Sequence, residues 1–386
     1  MAKRRASGEG NIRKRSDGRW EGRYVAGHDP KTGKCVRKNV LGKTQAEVRE
    51  KLKAAIKVAE ETDLVRGGQY TLVQWLHYWM DNYGKVYLRP SSQVNYNGFL
   101  NHQIADDPVL GTIKLTKLRE RDLQIFYTRM AESGRVVRRE SKSQPKGLSA
   151  KSICNMHFFI SHALEQAVKE KLIAENPCRG CVLPRREKKE MKTLPLDDLN
   201  AFFAEAKRSG MFELYYTEMA TGLRRGELVG IKWSDINFDE NSIYIQRQIT
   251  RVNGVVQESP LKTANAYRQI IVPPEVTAML REKMERENGK SVYAFSAKSG
   301  DAMCPDSMLD MLHRVLKRAG LPQVRFHDLR HTFATLALQN GVDVKTLSGL
   351  LGHYSAGFTL DTYGHITPAM KQDAANKIGG FLCGTA

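Results

Sequence analysis

The sequence contains no apolar stretch long enough to cross a membrane; its 386 residues have a mean hydropathy of −0.47 and spread their hydrophobic side chains in short periodic groups. Cysteine is scarce. Six in this length, neither dense nor evenly spaced, exclude a small disulfide-stapled fold and fit a reducing cytoplasm. Cys178 and Cys181 form a lone Cys-x-x-Cys with no second pair, so they read as ordinary thiols rather than zinc ligands. The first 30 residues lack the apolar core of a secretory signal, which predicts a cytoplasmic protein. No Gly-x-x-x-x-Gly-Lys-Ser/Thr loop and no acidic cluster of the two-metal type occurs, so neither a nucleotide nor a metal cofactor is expected. Internal repeats and low-complexity tracts are missing too.

Acidic residues are also in deficit, with 42 Asp and Glu against 61 Lys and Arg, giving a net charge of +19 and a pI near 9.6. A polyanion is the expected partner. Residues 1 to 60 hold 17 of the cations and 7 of the anions, so +10 of the surplus lies at one end. A solvated basic tail would account for the charge but not for Trp20, Tyr24 and Val25 interleaved with it.

The length predicts two or three domains. Arg19 to Val25 and Cys35 to Leu41 read as strands around a turn at Asp29-Pro30-Lys31-Thr32-Gly33, followed by a helix opened by Thr44 and Glu47 and facing inward through Val48, Leu52, Ala55, Ile56 and Ala59. Such a cationic ribbon is narrow enough to enter a DNA major groove. Gly67-Gly68 reads as a linker to helices around Leu72 to Trp79, Pro90 to Leu100, Leu123 to Met130 and Ser149 to Glu170. The basic stretch Gly134 to Gly147 reads as a loop that either touches phosphate or is simply exposed, and Arg185 to Glu190 as a second linker. Beyond it come helices around Asp197 to Lys207 and Glu213 to Met219, a hairpin region from Ser242 to Pro273 with its tightest turn at Asn253-Gly254, and further helices. The predicted fold class is α+β and multidomain: an N-terminal three-stranded antiparallel sheet plus helix, a helical domain, and a mostly α domain with a small antiparallel sheet.

The chemistry concentrates in the last third. In Thr221-Gly222-Leu223-Arg224-Arg225-Gly226-Glu227-Leu228 the glycine interrupts one element before a helical turn on which Glu227 can brace Arg224. His327 and Arg330, in His327-Asp328-Leu329-Arg330-His331, share a helix side, where a planar guanidinium can bind two phosphate oxygens and an imidazole a third. His331 lies near that face and competes with His327. Lys262, between strands ending near Gln257 and starting at Tyr267, carries an ammonium able to protonate a departing oxygen. Tyr363, in Asp361-Thr362-Tyr363-Gly364-His365, is the candidate nucleophile, with Tyr354 as rival beside His353. A phenol titrates near pH 10 and needs neighbouring positive charge or a base, which the Arg pair and His353 can supply.

Together these motifs resemble the tyrosine recombinase (phage integrase) family, in particular the integrases of conjugative transposons and temperate phages. Four motifs occur in the family's order: Thr-Gly-Leu-Arg-x-Gly-Glu-Leu, the hairpin Lys, His-x-Leu-Arg-His-Thr-Phe-Ala-Thr, and Leu-Gly-His followed by Asp-Thr-Tyr. The resemblance implies that Arg224 and Arg330 clamp the phosphate, Lys262 is general acid toward the leaving 5′-hydroxyl, and Tyr363 becomes 3′-phosphotyrosyl. His327 and His353 complete the set and Glu227 supports Arg224. It selects Arg224 over Arg225, His327 over His331, and Tyr363 over Tyr354.

The Gly10-Asn11-Ile12-Arg13-Lys14-Arg15 and Asp17-Gly18-Arg19-Trp20 segments look like the arm-binding module of such integrases. The implied domains are 1–66 (arm-type DNA-binding), 67–187 (helical core-binding) and 188–386 (catalytic). The implied activity integrates and excises a mobile DNA element without metal or ATP, through a Holliday junction. Implied partners are double-stranded DNA at core and arm sites, three more copies of the chain in a tetramer on synapsed DNA, an excisionase and a host DNA-bending protein. The implied location is a bacterial cytoplasm, at the nucleoid when DNA is bound. Competing purposes for the same chemistry are resolution of chromosome dimers and type IB relaxation of supercoils; a competing class is a non-catalytic DNA-binding regulator. Phe381 and Leu382, in the segment after Tyr363, either pack on a neighbouring protomer or belong to a frayed tail.

Overall fold

The computed structural model describes residues 11–28, 34–61, 63–136, 145–185, 192–363, 375–376 and 378–379. The predicted turn at Asp29 to Gly33, the middle of the basic loop, most of the Arg185 to Glu190 stretch, and Phe381 with Leu382 lie outside those residues. The chain forms two compact units, Met1–Lys188 and Lys189–Ala386. Among the described residues no helix is long and apolar enough to cross a membrane.

In the first unit β1 (Asn11–Lys14), β2 (Trp20–His28) and β3 (Cys35–Gly42) pair antiparallel in the order β1-β2-β3, followed by α1 (Gln45–Glu61). Thr44 caps α1 by accepting from Glu47 N–H at 3.2 Å, while the Glu47 carboxylate takes Lys43 N–H at 2.8 Å. The helix packs its Val48 and Leu52 on one face of the sheet so closely that a Cβ on Gly22 would lie 2.9 Å from Val48. Glycine is required there for the approach.

After α1 the described helices of this unit include α2 (Leu64–Gly67), α3 (Leu72–Trp79), α4 (Lys85–Tyr87), α5 (Pro90–Phe99), α6 (Glu120–Ser133) and α7 (Ala150–Lys169). Their buried side chains, among them Leu72, Trp75, Phe126, Phe159 and Leu164, make one core, and Trp75 Nε1 donates to Ala163 O at 2.7 Å across it. Gly67 is not a free linker residue. It is buried at the end of α2, where a Cβ would sit 2.0 Å from Leu172 O, so its glycine serves backbone contact rather than flexibility. The ends of the basic loop close on each other through Arg135 N–H to Lys146 O at 3.0 Å.

The second unit contains α8 (Leu196–Arg208), α9 (Phe212–Thr221), α10 (Arg225–Leu228), α11 (Pro274–Glu287), α12 (Pro305–Arg318), α13 (Phe326–Gln339), α14 (Val344–Leu351) and α15 (Ala356–Tyr363). Its strands make two small antiparallel sheets. β4 (Ile236–Asn237), β5 (Ser242–Ile245) and β8 (Arg268–Ile271) form one, and β6 (Gln248–Val252) with β7 (Val255–Ser259) forms a hairpin. Asn253 and Gly254 turn that hairpin with positive φ at both positions, 51° and 85°, as a two-residue primed turn needs. Because β7 pairs with β6 and β8 with β5, Lys262 lies on a crossover between two sheets and not at a hairpin tip. The predicted α+β class is the one observed.

Candidate active site

Gly222 is the left-handed C-cap of α9, with φ at 60°, and a Cβ there would fall 2.2 Å from the ring of Phe333. The turn thus delivers Arg224 as the N-cap of α10, three residues before Glu227. The Glu227 carboxylate accepts Arg224 N–H at 3.2 Å and Arg224 Nη1 at 2.7 Å. It also accepts Arg268 Nη2 at 3.0 Å, and both partners of that pair are buried. Burial alone would raise the Glu227 pKa, but Arg268 and Arg224 outweigh it and hold the carboxyl below its ordinary range.

Three guanidinium groups converge on the end of α14. Arg268 Nε donates to Leu350 O at 2.7 Å, Arg330 Nη2 to Leu351 O at 2.7 Å, and Arg224 Nη2 to Gly352 O at 2.9 Å. The last carbonyls of a helix have no partner within it and carry its negative dipole end, so cations are the natural groups to satisfy them. Arg330 also donates through Nη1 to Gly222 O at 2.8 Å, joining α9 to α14. Its side chain is fully buried, and burial together with Arg224 pushes its pKa down to about 10, still protonated near neutrality.

Sequence reasoning missed Arg268. The available signal was phase: in β8 it shares a face with buried Ile270, and an arginine on the inward side of a strand must have a partner inside.

α13 starts at Phe326, which leaves His327 exposed on its first turn and carries Arg330 and His331 into the interior. The His327 and His331 rings meet edge to face at 4.7 Å. It is His331 that touches the phenol, with Nδ1 2.8 Å from Tyr363 Oη. Tyr363, the last residue of α15, is 7% exposed and packs with Ala334, Leu347 and Leu351. Tyr354 is 87% exposed. Burial raises the Tyr363 pKa, while Arg330 and Arg224 pull it back down.

His353 lies parallel to the Tyr363 ring with centroids 6.2 Å apart, and its Nδ1 is 2.8 Å from Thr359 Oγ1. Loss of hydration, then the arginines and His327, lower the His353 pKa to about 3; His327, although exposed as a residue, has its ring crowded by its neighbours, and loss of hydration there, then His331 and the arginines, lower it to about 4. Both imidazoles are neutral near pH 7, and the permanent positive charge belongs to the arginines. Arg224, Glu227, His327, Arg330, His353 and Tyr363 are therefore brought into one neighbourhood, to which Arg268 and His331 are added. Lys262 is exposed on the segment before Asn265, whose carbonyl oxygen lies 3.1 Å from where a Cβ on Gly352 would be. That places its loop beside the cluster.

Glu218, on α9, is fully buried, and neither carboxyl oxygen has a hydrogen-bond partner among the described residues. Burial raises its pKa far above the ordinary value, with Arg330 opposing the rise. Below the ordinary carboxyl range both folded and unfolded chains carry the proton. As pH rises past that range the unfolded chain ionises first, so stability falls by about 1.4 kcal/mol per pH unit until the folded group titrates. Glu218→Gln is accordingly expected to be more stable than wild type at pH 8, with the advantage shrinking toward pH 4. Urea unfolding at the two pH values checks this, and an equal difference at both would refute it.

Residues 161–370 match the model of the phage integrase family, and residues 71–131 match that of the phage integrase N-terminal SAM-like domain. A protein named "Tyrosine recombinase XerC-like" from Caldanaerobacter subterraneus subsp. tengcongensis is 27% identical, over 91% of this chain and 93% of its own length. The ICEBs1 integrase of Bacillus subtilis is 24% identical, over 96% of this chain and all of its own. Among solved structures, the Tn1549 transposon integrase in complex with transposon right end DNA aligns with a TM-score of 0.67 at 21% identity, covering 80% of this chain and 100% of that one. A lambda integrase tetramer bound to a Holliday junction aligns with a TM-score of 0.55 at 19% identity, covering 90% and 96%.

Proposed function

The chain belongs to the phage integrase family of tyrosine recombinases, and from that premise we propose that it integrates and excises a mobile DNA element through a 3′-phosphotyrosyl intermediate and a Holliday junction. Residues 1–66 act as an arm-type DNA-binding domain, 67–187 as a core-binding domain and 188–386 as the catalytic domain. Four copies assemble on two synapsed duplexes, with an excisionase and a host DNA-bending protein setting direction.

In the proposed reaction DNA binding uncovers the buried Arg330, and the scissile phosphodiester takes the remaining N–H groups of Arg224 and Arg330, which neutralise the charge that builds on the equatorial oxygens. The Tyr363 oxygen attacks phosphorus and the bond to the 5′-oxygen breaks. The departing oxygen takes a proton from Lys262, and the phenolic proton passes to a neutral imidazole. His331 Nδ1 is the ring nitrogen in contact. His327 and His353, neutral in the free protein, donate hydrogen bonds to the same phosphate. The phosphotyrosyl ester retains the free energy of the cleaved bond, so a 5′-hydroxyl from another strand reseals it without ATP, and cations do the work that divalent ions do in two-metal enzymes.

The observation that carries this reading is a buried phenol in hydrogen-bond contact with the His331 imidazole, whose pKa burial lowers; burial holds the phenol's own pKa above its ordinary value, and Arg330 and Arg224 oppose that rise. Labelled duplexes spanning the junctions of the element that carries the gene, nicked so that the 5′-hydroxyl fragment diffuses away, should trap a covalent adduct stable in denaturing gels. Peptide mapping should place the DNA on Tyr363. An adduct on Tyr354, or none on any junction, would overturn the proposal.

A further inference from the structure

The open face of the N-terminal sheet has a carboxylate at its centre. Strand alternation puts Ile12, Gly22 and Val40 against α1 and turns Arg13, Glu21, Arg23 and Asn39 to the opposite side. Glu21 is nevertheless only 1% exposed, because the side chains around it cover it. Asn39 Nδ2 donates to Oε1 at 2.7 Å, Arg13 Nε to Oε2 at 2.7 Å and Arg23 Nε to Oε1 at 3.4 Å; Arg15 Nη1 is 3.8 Å from Oε1. Arg13 and Arg23 remain about half exposed, at 53% and 51% of their side chains. The amide of Asn39 and then Arg13 hold the carboxyl down to about 2, so it is ionised at any working pH.

A surface built only to attract a polyanion has no use for a negative charge at its centre, since each anion there weakens phosphate attraction. What Glu21 does is geometric. By engaging Nε of Arg13 and Arg23 it fixes two long side chains that would otherwise repel each other and wander. Glu21 takes Nε of each, on side chains that stay about half exposed, and terminal Nη1 and Nη2 groups are the donors that can grip guanine O6 and N7 bidentately in a major groove.

We propose that Glu21 is a positioning residue for sequence readout by this sheet face, orienting Arg13 and Arg23 toward base edges of duplex DNA. This rests on the DNA-binding reading of residues 1–66 given above. It differs from simple electrostatics in what happens to discrimination, not in the direction of non-specific affinity. Removing the anion raises non-specific affinity and lowers discrimination.

The full-length protein is incubated at fixed salt with a library of duplexes randomised over a central segment, and bound sequences are recovered. Wild type is expected to enrich two motifs, one read by the N-terminal sheet and one by the rest of the chain. Glu21→Ala should lose the first by about tenfold or more in its preference over unselected duplex, at equal or tighter binding to the unselected library, and keep the second. Arg13→Lys, which keeps the charge but has no Nε–H, should lose the first motif as well. Circular dichroism and the retained second motif show that the chain is folded in each variant. If Glu21→Ala keeps both preferences while binding all duplexes more tightly, Glu21 is only a charge at the surface and the proposal is overturned. If wild type enriches no first motif yet forms the covalent adduct, sequence readout by the sheet is wrong while the recombinase reading stands. If it neither enriches a motif nor forms an adduct, both readings fail together.

Discussion

Tyr363→Phe is expected to abolish the covalent DNA adduct, with turnover below about one ten-thousandth of wild type, while leaving DNA affinity and fold intact. The ring stays in its pocket against Ala334, Leu347 and Leu351, and only the hydroxyl is lost. That hydroxyl contacts His331 Nδ1, and leaving this nitrogen without its partner costs about 1–3 kcal/mol at most. Gel shift on attachment-site duplexes, thermal melting and adduct formation separate the three quantities. Residual adduct in the variant would show that another side chain attacks phosphorus. A loss of binding equal to the loss of cleavage would show that Tyr363 is needed to hold DNA, not to cut it.

Arg330→Lys should be nearly as damaging to cleavage, by about 10³-fold, although it conserves charge. The guanidinium reaches Gly222 O and Leu351 O from two different nitrogens, tying α9 to α14 across a fully buried site. An ammonium is a point donor on a flexible stem and cannot span both carbonyls while presenting further N–H groups to a phosphate. Unpaired buried carbonyls would also lower stability, by about 1–3 kcal/mol each. Single-turnover cleavage measured at a temperature where melting shows the variant folded isolates the catalytic part. A variant that cleaves within tenfold of wild type would remove Arg330 from the clamp.

Local regularities made much of this molecule legible before its structure. The three-residue spacing of Arg224 and Glu227 and of His327 and Arg330 is legible in the sequence, although Arg224 meets Glu227 as the extended N-cap of α10 and not from a helical face. The Asn253-Gly254 turn, the Thr44 cap and the inward face of α1 through Val48 and Leu52 are legible from local pattern too. Gly67 misled because glycine marks both loose linkers and close backbone contacts, and only the position of Leu172 distinguishes them. Lys262 reads as a hairpin residue because two strands flank it, yet pairing partners depend on distant segments.

By itself the sequence determined which side chains are available for phosphoryl chemistry, their order along the chain, and the α+β class, because residue type, short-range periodicity and charge excess are properties of neighbours. The tertiary structure alone decided that three arginines from α13, β8 and the turn before α10 satisfy the consecutive carbonyls of Leu350, Leu351 and Gly352 at the end of α14, and that His331 rather than His327 meets the phenol. It also decided that Glu218 is kept dry and Glu21 lies beneath arginines. These contacts join residues that are mostly far apart in the chain or differ only in which side of an element faces inward. Their energies come from burial and from opposing charges, which no local pattern records.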